Sequence, residues 1–336
     1  MSRRKPVIAL LGATGAVGRE MLKIIHEQNI EYDTLKLLAS KRSAGSIITC
    51  QSHKFPVEEV SEESFSGIDI CLASAGSEAS KYWIPLAVKK GVTVIDNCSY
   101  WRLKDDVPLV VPEVNPEELH RHHKIIGNPN CSTIQLVQVL APLHKRFGLK
   151  RVIVSTYQSV SGAGNKGIMS LQAETAAFPK KASGCFSRRI AYNVIPQIGD
   201  YEANGFTTEE MKLLHETRKI LKDNSLLITG TAVRVPVFYG HSESVLLQFQ
   251  SKVSPAEVRQ ELTDTQNLQI MDNNHLNLFP TPQDCESNDN TLVGRVRQDI
   301  MGEDWINLWI VSNNLRKGAA LNAVQIAVYL IDKDII

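Results

Sequence analysis

The sequence predicts an α/β protein of two domains, a parallel-sheet domain followed by a mixed α+β domain. Three observations lead to this prediction. In the first third of the chain, short apolar strands alternate with helices, which is typical of a parallel sheet covered by helices on both faces. Beyond residue 131, strands of alternating polarity replace that pattern. The length of 336 residues also fits two domains of roughly 150 residues each.

The first domain is predicted to span residues 1–130 and to be completed by the C-terminal helix at 316–336. Its strands are short apolar runs, and each helix shows apolar residues at helical spacing. The predicted strands are Val7–Leu11, Leu35–Ala39, Ile68–Ala73, Val92–Ile95 and Lys124–Ile126. The predicted helices run from after Gly18 to near Asn29, over Ala79–Lys90, and over Arg316–Leu330, where Leu321, Val324 and Val328 form one stripe.

The second domain is predicted to span residues 131–315. A helix follows Cys131 and ends near Gly148, and further helices are expected near 165–177 and 208–222. Alternating strands are expected at Arg151–Gln158, Thr231–Phe238, Glu243–Gln250 and Trp305–Val311. We expect the second and third of these strands to form a hairpin around Tyr239-Gly240.

Composition excludes several classes of protein. The chain has 37 Lys+Arg and 36 Asp+Glu, a net charge of +1, so it lacks the basic excess of a nucleic-acid binder. No apolar run approaches the roughly 20 residues that span a bilayer. The apolar run after the basic N-terminus is too short for a signal peptide. The cysteines show no paired or metal-binding spacing, which predicts reduced thiols, a cytoplasmic protein and no metal site.

The segment Gly12-Ala-Thr-Gly15-Ala-Val-Gly18 follows the first predicted strand and opens the first helix. Three glycines at this spacing let the backbone turn tightly and approach a pyrophosphate, which the free N–H groups of the helix N-terminus then bind. This GxxGxxG pattern is a variant of the dinucleotide fingerprint, so a Rossmann-type nucleotide domain is predicted. The alternative is a tight βα turn that binds nothing.

The residues after the second strand indicate which dinucleotide is bound. An NAD-binding domain usually places an acidic residue there to hold the ribose 2′-hydroxyl. Here the sequence is Ser40-Lys41-Arg42-Ser43, and a cation beside hydroxyls suits a 2′-phosphate. We therefore predict NADP as the cofactor, with a solvated basic turn as the alternative.

The segment Gly127-Asn-Pro-Asn-Cys131-Ser-Thr133 places a cysteine at the start of a helix. There the helix dipole and free N–H groups stabilise a thiolate and lower the pKa of the thiol. A reactive thiolate in a nicotinamide enzyme indicates aldehyde oxidation through a thioester, or the reverse reaction. A buried, unreactive cysteine is the alternative.

Four separated motifs together resemble the aspartate-semialdehyde dehydrogenase family. They are Gly12–Gly18, Gly127–Thr133, Gln158 with Ser161-Gly162-Ala163-Gly164, and the run Arg234-Val-Pro-Val-Phe-Tyr-Gly-His241. The resemblance covers essentially the whole chain, and the order and spacing of the four motifs make it specific. The resemblance implies a second domain that is both catalytic and dimerising.

The resemblance implies the roles of individual residues. It makes Cys131 the nucleophile, His241 the acid/base and Gln158 the residue that orients the substrate. The implied cofactor-binding residues are Gly12, Thr14, Gly15, Ala16, Val17, Gly18, Arg42, Ser43, Ser161, Gly162 and Asn314. The implied substrate-binding residues are Arg102, Asn130, Gln158, Glu209, Lys212 and Arg234.

Several of these residues have simpler interpretations. Arg234 is expected mid-strand, where it grips the substrate α-carboxylate or forms a structural salt bridge. Glu209 and Lys212 contact the phosphate side of the substrate or form a surface i,i+3 pair. Asn314 lies near the nicotinamide or merely caps the last helix. His241 is expected at the hairpin turn, where a neutral imidazole could take the thiol proton and later return it.

The implied reaction is reductive dephosphorylation of L-aspartyl 4-phosphate by NADPH to L-aspartate 4-semialdehyde. It would serve lysine, methionine and threonine biosynthesis, with diaminopimelate and isoleucine on the same routes, and the implied assembly is a homodimer. One alternative is N-acetyl-glutamyl-phosphate reductase, which shares the general plan but fits the Arg234, Gln158 and His241 spacing less well. The other is a non-catalytic NADP-binding paralogue, which the presence of Cys131 and His241 disfavours.

Overall fold

The computed structural model describes residues 4–178 and 184–336. Its helices are α1 (Ala16–Glu27), α2 (Ser77–Lys89), α3 (Cys131–Phe147), α4 (Gly164–Ala177), α5 (Thr208–Leu221), α6 (Pro255–Thr263) and α7 (Leu321–Asp332). Its strands are β1 (Val7–Leu11), β2 (Thr34–Ala39), β3 (Ile47–Cys50), β4 (His53–Glu59), β5 (Ile70–Ala73), β6 (Thr93–Asp96), β7 (Ile125–Gly127), β8 (Leu149–Gln158), β9 (Leu227–Arg234), β10 (His241–Phe249), β11 (Leu268–Ile270), β12 (Thr291–Asp299) and β13 (Gly302–Ser312).

The chain folds into two compact units. The first ends at Pro129 and takes in Ala319–Ile336, and the second is Asn130–Gly318. Each unit is built on its own sheet, one largely parallel and one mixed. The predicted α/β fold class, a Rossmann-type domain with a mixed α+β domain, is confirmed.

The sheet of the first unit has the order β3-β4-β2-β1-β5-β6-β7, and only β3 pairs in an antiparallel way. Successive residues of β1 face opposite layers. Leu10 packs with residues of α1 and α7, whereas Ala9 and Leu11 pack with Ile84 of α2. Both faces are therefore covered, as the short continuous apolar strands predict.

The sheet of the second unit has the order β11-β12-β13-β10-β8-β9. Helices α3, α5 and α6 cover one face, and the core includes Leu140, Leu213 and Val258 from these helices. On the opposite face, Ile153 and Tyr157 of β8 are exposed. This sheet is therefore covered by helices on one side only, within the described residues of the unit.

The predicted hairpin around Tyr239-Gly240 is wrong. Strand β9 pairs in parallel with β8, and β10 pairs antiparallel with the other edge of β8, so β8 lies between them. Residues 235–240 pass across the end of β8, where Val235 N donates to Gln158 O. Arg234 is accordingly the last residue of its strand rather than a central one, and His241 begins the next strand rather than lying at a turn.

The helix boundaries differ from the predictions at two functional places. Helix α1 begins at Ala16, two residues before Gly18. The last helix does not start as an α-helix, because residues Arg316–Ala320 form a π-helical turn before α7. Leu321 and Val324 are buried and Val328 packs beside them, as the predicted stripe requires. No helix of the described residues combines the length and apolarity needed to cross a membrane.

Glu243 is an ionisable group within the core of the second unit. It lies two residues after His241 on β10 and is fully buried. Neither of its carboxyl oxygens has a hydrogen-bond partner among the described residues. Burial raises the pKa of Glu243 well above its usual value, and the facing amide of Gln135 offsets this only in part. The folded protein therefore favours the neutral form of Glu243 over the ionised form.

We predict that Glu243→Gln stabilises the protein more at pH 8 than at pH 5. The pKa is raised in the folded state, so ionisation in the unfolded chain increasingly favours unfolding as pH rises above the usual glutamate value of about 4.3. Glutamine cannot ionise and removes this penalty. The melting temperatures of the wild type and the variant at both pH values measure this difference. Each kcal/mol of added stability should raise the melting temperature by about 2–4 °C.

The control for this measurement is Glu202→Gln, at an exposed carboxyl in the same unit. It should leave the pH dependence of the melting temperature unchanged. If Glu243→Gln lowered the melting temperature by the same amount at pH 5 and pH 8, the raised pKa of Glu243 would be contradicted.

Candidate active site

Cys131 is the first residue of α3, and its neighbour Asn130 is the N-cap. The side-chain oxygen of Asn130 accepts hydrogen bonds from Ser132 N at 3.0 Å and Thr133 N at 3.4 Å. Cys131 is half-buried, whereas the residues that follow it in α3 are buried. The thiol therefore lies at the N-terminus of a well-capped helix, the environment that favours a thiolate.

Glu209 links three elements beside this helix. Its Oε1 accepts from Asn130 Nδ2 at 2.9 Å and from Gln158 Nε2 at 3.1 Å, and its Oε2 accepts from Lys212 Nζ at 2.9 Å. Burial disfavours ionisation, but Lys212 and the two amide donors outweigh it and lower the pKa of Glu209 to about 2. The predicted alternative of a surface Glu209–Lys212 pair is wrong for Glu209, which is 5% exposed.

Gln158 is the last residue of β8 and points into the same cluster. Alternate residues of β8, among them Val152, Val154 and Thr156, are buried on its face, as the sequence predicts. Besides Glu209, its Nε2 donates to Ser132 Oγ at 2.9 Å. Gln158 is thus fixed through its Nε2 by groups from α3 and α5.

His241 is fully buried at the start of β10. Its Nδ1 accepts a hydrogen bond from the backbone N–H of Ser159 at 3.1 Å. Because a backbone N–H can only donate, the neutral ring carries its proton on Nε2. Burial, with the nearby charge of Arg234, lowers the pKa of His241 to about 3. His241 is therefore a buried residue at the start of β10, whereas the sequence placed it at a turn.

Nε2 of His241 has no hydrogen-bond partner among the described residues. It borders Gly162, where an added Cβ would lie 3.3 Å from Nε2 and 2.7 Å from Nη1 of Arg234. A side chain at residue 162 would therefore displace one of these groups. The glycine keeps room beside an imidazole N–H and a guanidinium.

Arg234 is 5% exposed at the end of β9. Its Nη1 donates to Ser159 O at 2.7 Å. Burial lowers the pKa of Arg234, and the negative charge of Glu209 opposes this change. A buried cation with further donors on its fork suits a carboxylate ligand.

Asn314 belongs to a buried hydrogen-bonded cluster. Its Oδ1 accepts from Ser159 Oγ at 3.0 Å and from Gly240 N at 3.0 Å, and its Nδ2 donates to Ser161 Oγ at 2.9 Å. The neighbouring Asn313 instead accepts from Leu315 N and Arg316 N. The alternative of a helix cap is therefore wrong for Asn314 and describes Asn313.

The first unit contains a cleft of about 240 Å³ at the glycine loop. Predicted cofactor residues line it, namely Gly12, Thr14, Gly15, Arg42 and Ser43. Gly12 has φ of +86°, and an added Cβ at Gly18 would lie 2.4 Å from Gly12 O. Ala16, Val17 and Gly18 form the first turn of α1, whose N-terminus has no side-chain cap. These features fit a bound pyrophosphate.

The remaining predicted residues lie as follows. Ser161 and Gly162 are in a 3-10 turn of the second unit, Val160–Ala163, and Ser161 is buried. Arg102 is in the first unit, where its Nη2 donates to Asn97 O at 2.6 Å. Burial raises the pKa of the Cys98 thiol, so this cysteine is neutral. Residues 4–178 and 184–336 contain no group of three side chains arranged to hold a metal ion.

Sequence reasoning missed three residues of this site. Ser132 accepts from Gln158, Ser159 donates to His241, and Glu216 accepts from Asn130 N at 2.6 Å. Glu216 follows Glu209 by seven residues on one helix, a spacing that puts both on one face. The seven-residue spacing could have predicted that Glu216 lies beside Glu209. Nothing in the sequence predicts the hydrogen bond between Ser159 and His241.

Comparison with known proteins identifies the family of the chain. The family model for a semialdehyde dehydrogenase NAD-binding domain matches residues 7–122, and that for a semialdehyde dehydrogenase dimerisation domain matches residues 140–317. Aspartate-semialdehyde dehydrogenase of Aquifex aeolicus is 47% identical, over 98% of this chain and 99% of that protein.

Two solved structures are also similar. Aspartate semialdehyde dehydrogenase II of Vibrio cholerae, in complex with ASA, has 45% identity and a TM-score of 0.94, with 98% of this chain and 99% of that chain covered. Aspartate semialdehyde dehydrogenase of Candida albicans with NADP has 25% identity and a TM-score of 0.78, with 99% and 100% covered. The resemblance found in the sequence motifs is confirmed. The chain belongs to the aspartate-semialdehyde dehydrogenase family.

Proposed function

We propose that the chain catalyses the NADPH-dependent reductive dephosphorylation of L-aspartyl 4-phosphate to L-aspartate 4-semialdehyde through a thioester on Cys131. The observation that carries this proposal is a half-buried cysteine at the capped N-terminus of α3, beside Gln158 and the Glu209 carboxylate. The direct test is phosphate-dependent formation of NADPH from aspartate semialdehyde. Absence of that activity in the purified protein would contradict the proposal.

In the first step, the Cys131 thiolate attacks the acyl carbon of the aspartyl phosphate. The S–C bond forms, and the C–O bond to phosphate breaks, so phosphate leaves with the electron pair. We assign Arg102 and Lys212 to the phosphate, because their charges balance the leaving anion. Asn130, the third predicted contact on this side, is committed mainly to holding the start of α3.

The nicotinamide cofactor, when bound, supplies the hydride that reduces the thioester. Collapse of the resulting thiohemiacetal breaks the C–S bond, which releases the aldehyde and restores the Cys131 thiolate. Gln158, fixed through its Nε2 by Ser132 and Glu209, orients the intermediate. In this scheme the protein's residues position the reacting carbon and balance charge.

His241 acts as a hydrogen-bond donor through Nε2. With Nδ1 accepting from Ser159 N, the neutral ring has no free lone pair to take the thiol proton. Forming the imidazolium instead is disfavoured by burial and by Arg234, which lower the pKa of His241 to about 3. We therefore assign to His241 the donation to the developing thiohemiacetal oxygen, not the removal of the thiol proton.

The two charged groups on the α-carbon of the substrate match two buried residues of opposite charge. The Arg234 guanidinium can grip the α-carboxylate with its planar fork. The Glu209 carboxylate, whose pKa of about 2 keeps it ionised, offers a counter-charge to the α-ammonium. This pairing favours an aspartyl substrate with a free amino group.

The family match supports a nicotinamide cofactor, and we infer NADP in particular. Arg42, Ser40 and Ser43 line the cleft at the end of β2, and residues 40–43 include no acid. A guanidinium with nearby hydroxyls suits the 2′-phosphate. The neighbour solved with NADP is consistent with this choice.

We also propose a homodimer formed through the second unit. The face of its sheet without helices carries Ile153, Tyr157 and Trp309, and a cleft of about 360 Å³ lies beside Trp309. An apolar sheet face of this kind is often buried by a symmetric copy. The matching dimerisation-domain family supports this assignment. The proposed setting is cytoplasmic lysine, methionine and threonine biosynthesis.

We predict that Cys131→Ser folds and binds NADP but loses at least about 10³-fold in turnover, because the covalent nucleophile is gone. Steady-state kinetics and cofactor titration measure the two effects. The matched control is Cys50→Ser, a part-buried thiol of the first unit, which should retain activity. Near-normal turnover in Cys131→Ser would end the thioester mechanism.

Arg42→Asp should weaken NADPH binding far more than NADH binding. The substitution sets a negative charge against the 2′-phosphate, so a loss of about tenfold or more is expected for NADPH alone. Lys41→Asp is the matched control, because Lys41 is exposed and does not line the cleft. Equal use of NADH and NADPH by the wild type would show that this loop has been misinterpreted.

Arg234→Lys and Arg102→Lys should impair the use of different substrates, aspartate semialdehyde in the first variant and phosphate in the second. Lysine keeps the charge but loses the fork, so Arg234→Lys should raise KM for aspartate semialdehyde by about tenfold and leave the phosphate dependence nearly unchanged. Arg102→Lys should mainly affect phosphate. Kinetics with each substrate varied in both variants separate the roles, and an identical pattern in the two would refute them.

A further inference from the structure

Two carboxyl groups of α5 contact the residue that precedes the nucleophile. Glu209 and Glu216 lie seven residues apart on one face of α5 and are 5% and 1% exposed. Glu209 accepts from the side-chain amide of Asn130, and Glu216 Oε2 accepts from the backbone N–H of Asn130 at 2.6 Å. The proposed reaction uses Glu209 and leaves Glu216 without a role.

The contact with Glu216 completes the hydrogen bonding of Asn130. The side-chain oxygen accepts from Ser132 N and Thr133 N, and the backbone oxygen accepts from Ile134 N at 2.9 Å. Asn130 is 7% exposed, so its N–H needs a protein partner. Glu216 supplies that partner, and the position of the chain just before Cys131 is thereby determined.

Small displacements at this point reach the thiol directly. Cys131 follows Asn130, and an added Cβ at Gly318 would lie only 3.0 Å from Cys131 Cβ. The space around the start of α3 is therefore tight. Attack on an acyl carbon needs reacting atoms about 3–3.5 Å apart, and a misplacement of about 1 Å can cost 10²-fold in rate.

We propose that Glu216 is a positioning residue for the Cys131 nucleophile, acting through its hydrogen bond from Asn130 N. Glu216 is nearly fully buried and lies on α5. It acts through Asn130 and not through a contact with the substrate. What matters in this role is the acceptor oxygen at its present position. The assignment rests on the proposed function, in which Cys131 is the nucleophile.

The experiment compares Glu216→Gln, Glu216→Leu and Glu216→Asp. Glutamine keeps an acceptor oxygen in place, leucine removes the acceptor at similar volume, and aspartate keeps the carboxyl but withdraws it by one methylene. Two readouts are measured in parallel. One is kcat and KM for aspartate semialdehyde and phosphate, and the other is the alkylation rate of Cys131 by iodoacetamide, followed by mass spectrometry of its peptide.

We expect Glu216→Gln to stay within about threefold of wild-type kcat. Glu216→Leu and Glu216→Asp should lose about 10- to 100-fold in kcat, with KM for phosphate changed less than about twofold. Cys131 alkylation should slow in the same two variants. Should Glu216→Leu fail to fold, the comparison of Gln with Asp still decides the question.

The matched control is Asp272, which lies just after β11 and is also a buried carboxyl that accepts backbone N–H groups, from Arg295 and Val296. Asp272→Asn and Asp272→Leu should change melting temperature without changing Cys131 alkylation. The proposal would be overturned if the Glu216 variants changed only the melting temperature, as the controls do. It would also be overturned if Glu216→Gln lost as much kcat as Glu216→Asp. The alkylation of Cys131 is measured without substrate. If the wild type proves inactive on aspartate semialdehyde, the proposed function is contradicted, while the alkylation rates still test the role of Glu216.

Discussion

The buried carboxylate of Glu209 is the interaction on which the rest of the site depends. A carboxylate removed from water needs charged or hydrogen-bonding partners. Glu209 receives them from three elements, through Asn130 at the start of α3, Gln158 at the end of β8 and Lys212 on α5. Satisfying one anion therefore brings together the helix cap beside the proposed nucleophile and the amide proposed to orient the substrate. Removing any one donor would leave Glu209 under-compensated and loosen the other two.

Charge around this anion is arranged so that His241 stays neutral. Burial disfavours the imidazolium, and Arg234, itself buried, disfavours it further, whereas Glu209 favours it. The balance keeps the ring neutral with its proton on Nε2, because Ser159 N–H occupies Nδ1. A neutral donor can stabilise a developing oxyanion without adding a second cation beside Arg234. The site thus holds the Glu209 anion paired with Lys212, the buried Arg234 cation and an uncharged imidazole, a combination suited to a zwitterionic substrate.

Local patterns in the sequence predicted most elements, because apolar periodicity reports which face of a strand or helix is buried. Alternation along β8 was enough to place Gln158 on the face of Val152, Val154 and Thr156. Strand order is not local, however. Alternating residues in β9 and β10 identify two strands but not their neighbours, so the predicted hairpin missed that β8 lies between them. The partners of His241 and Asn314 were hidden for the same reason, since Ser159 contacts them only once β8 and β10 are paired.

Glycines decide the shape of this site as much as its polar side chains do. The π-helical turn at Arg316–Ala320 brings Gly318 against Cys131, where a Cβ would lie 3.0 Å from that of the cysteine. Gly162 leaves similar room beside Arg234 and His241. π-helical turns often occur at functional sites, where irregular backbone brings groups closer than a regular helix allows. The sequence marks both positions as special, since Gly162 lies in a glycine-rich motif and Gly318 with two alanines opens the last helix, but it does not name the neighbours of either glycine. At both positions a side chain would crowd its neighbours, and only the folded structure shows that these neighbours are Cys131, Arg234 and His241.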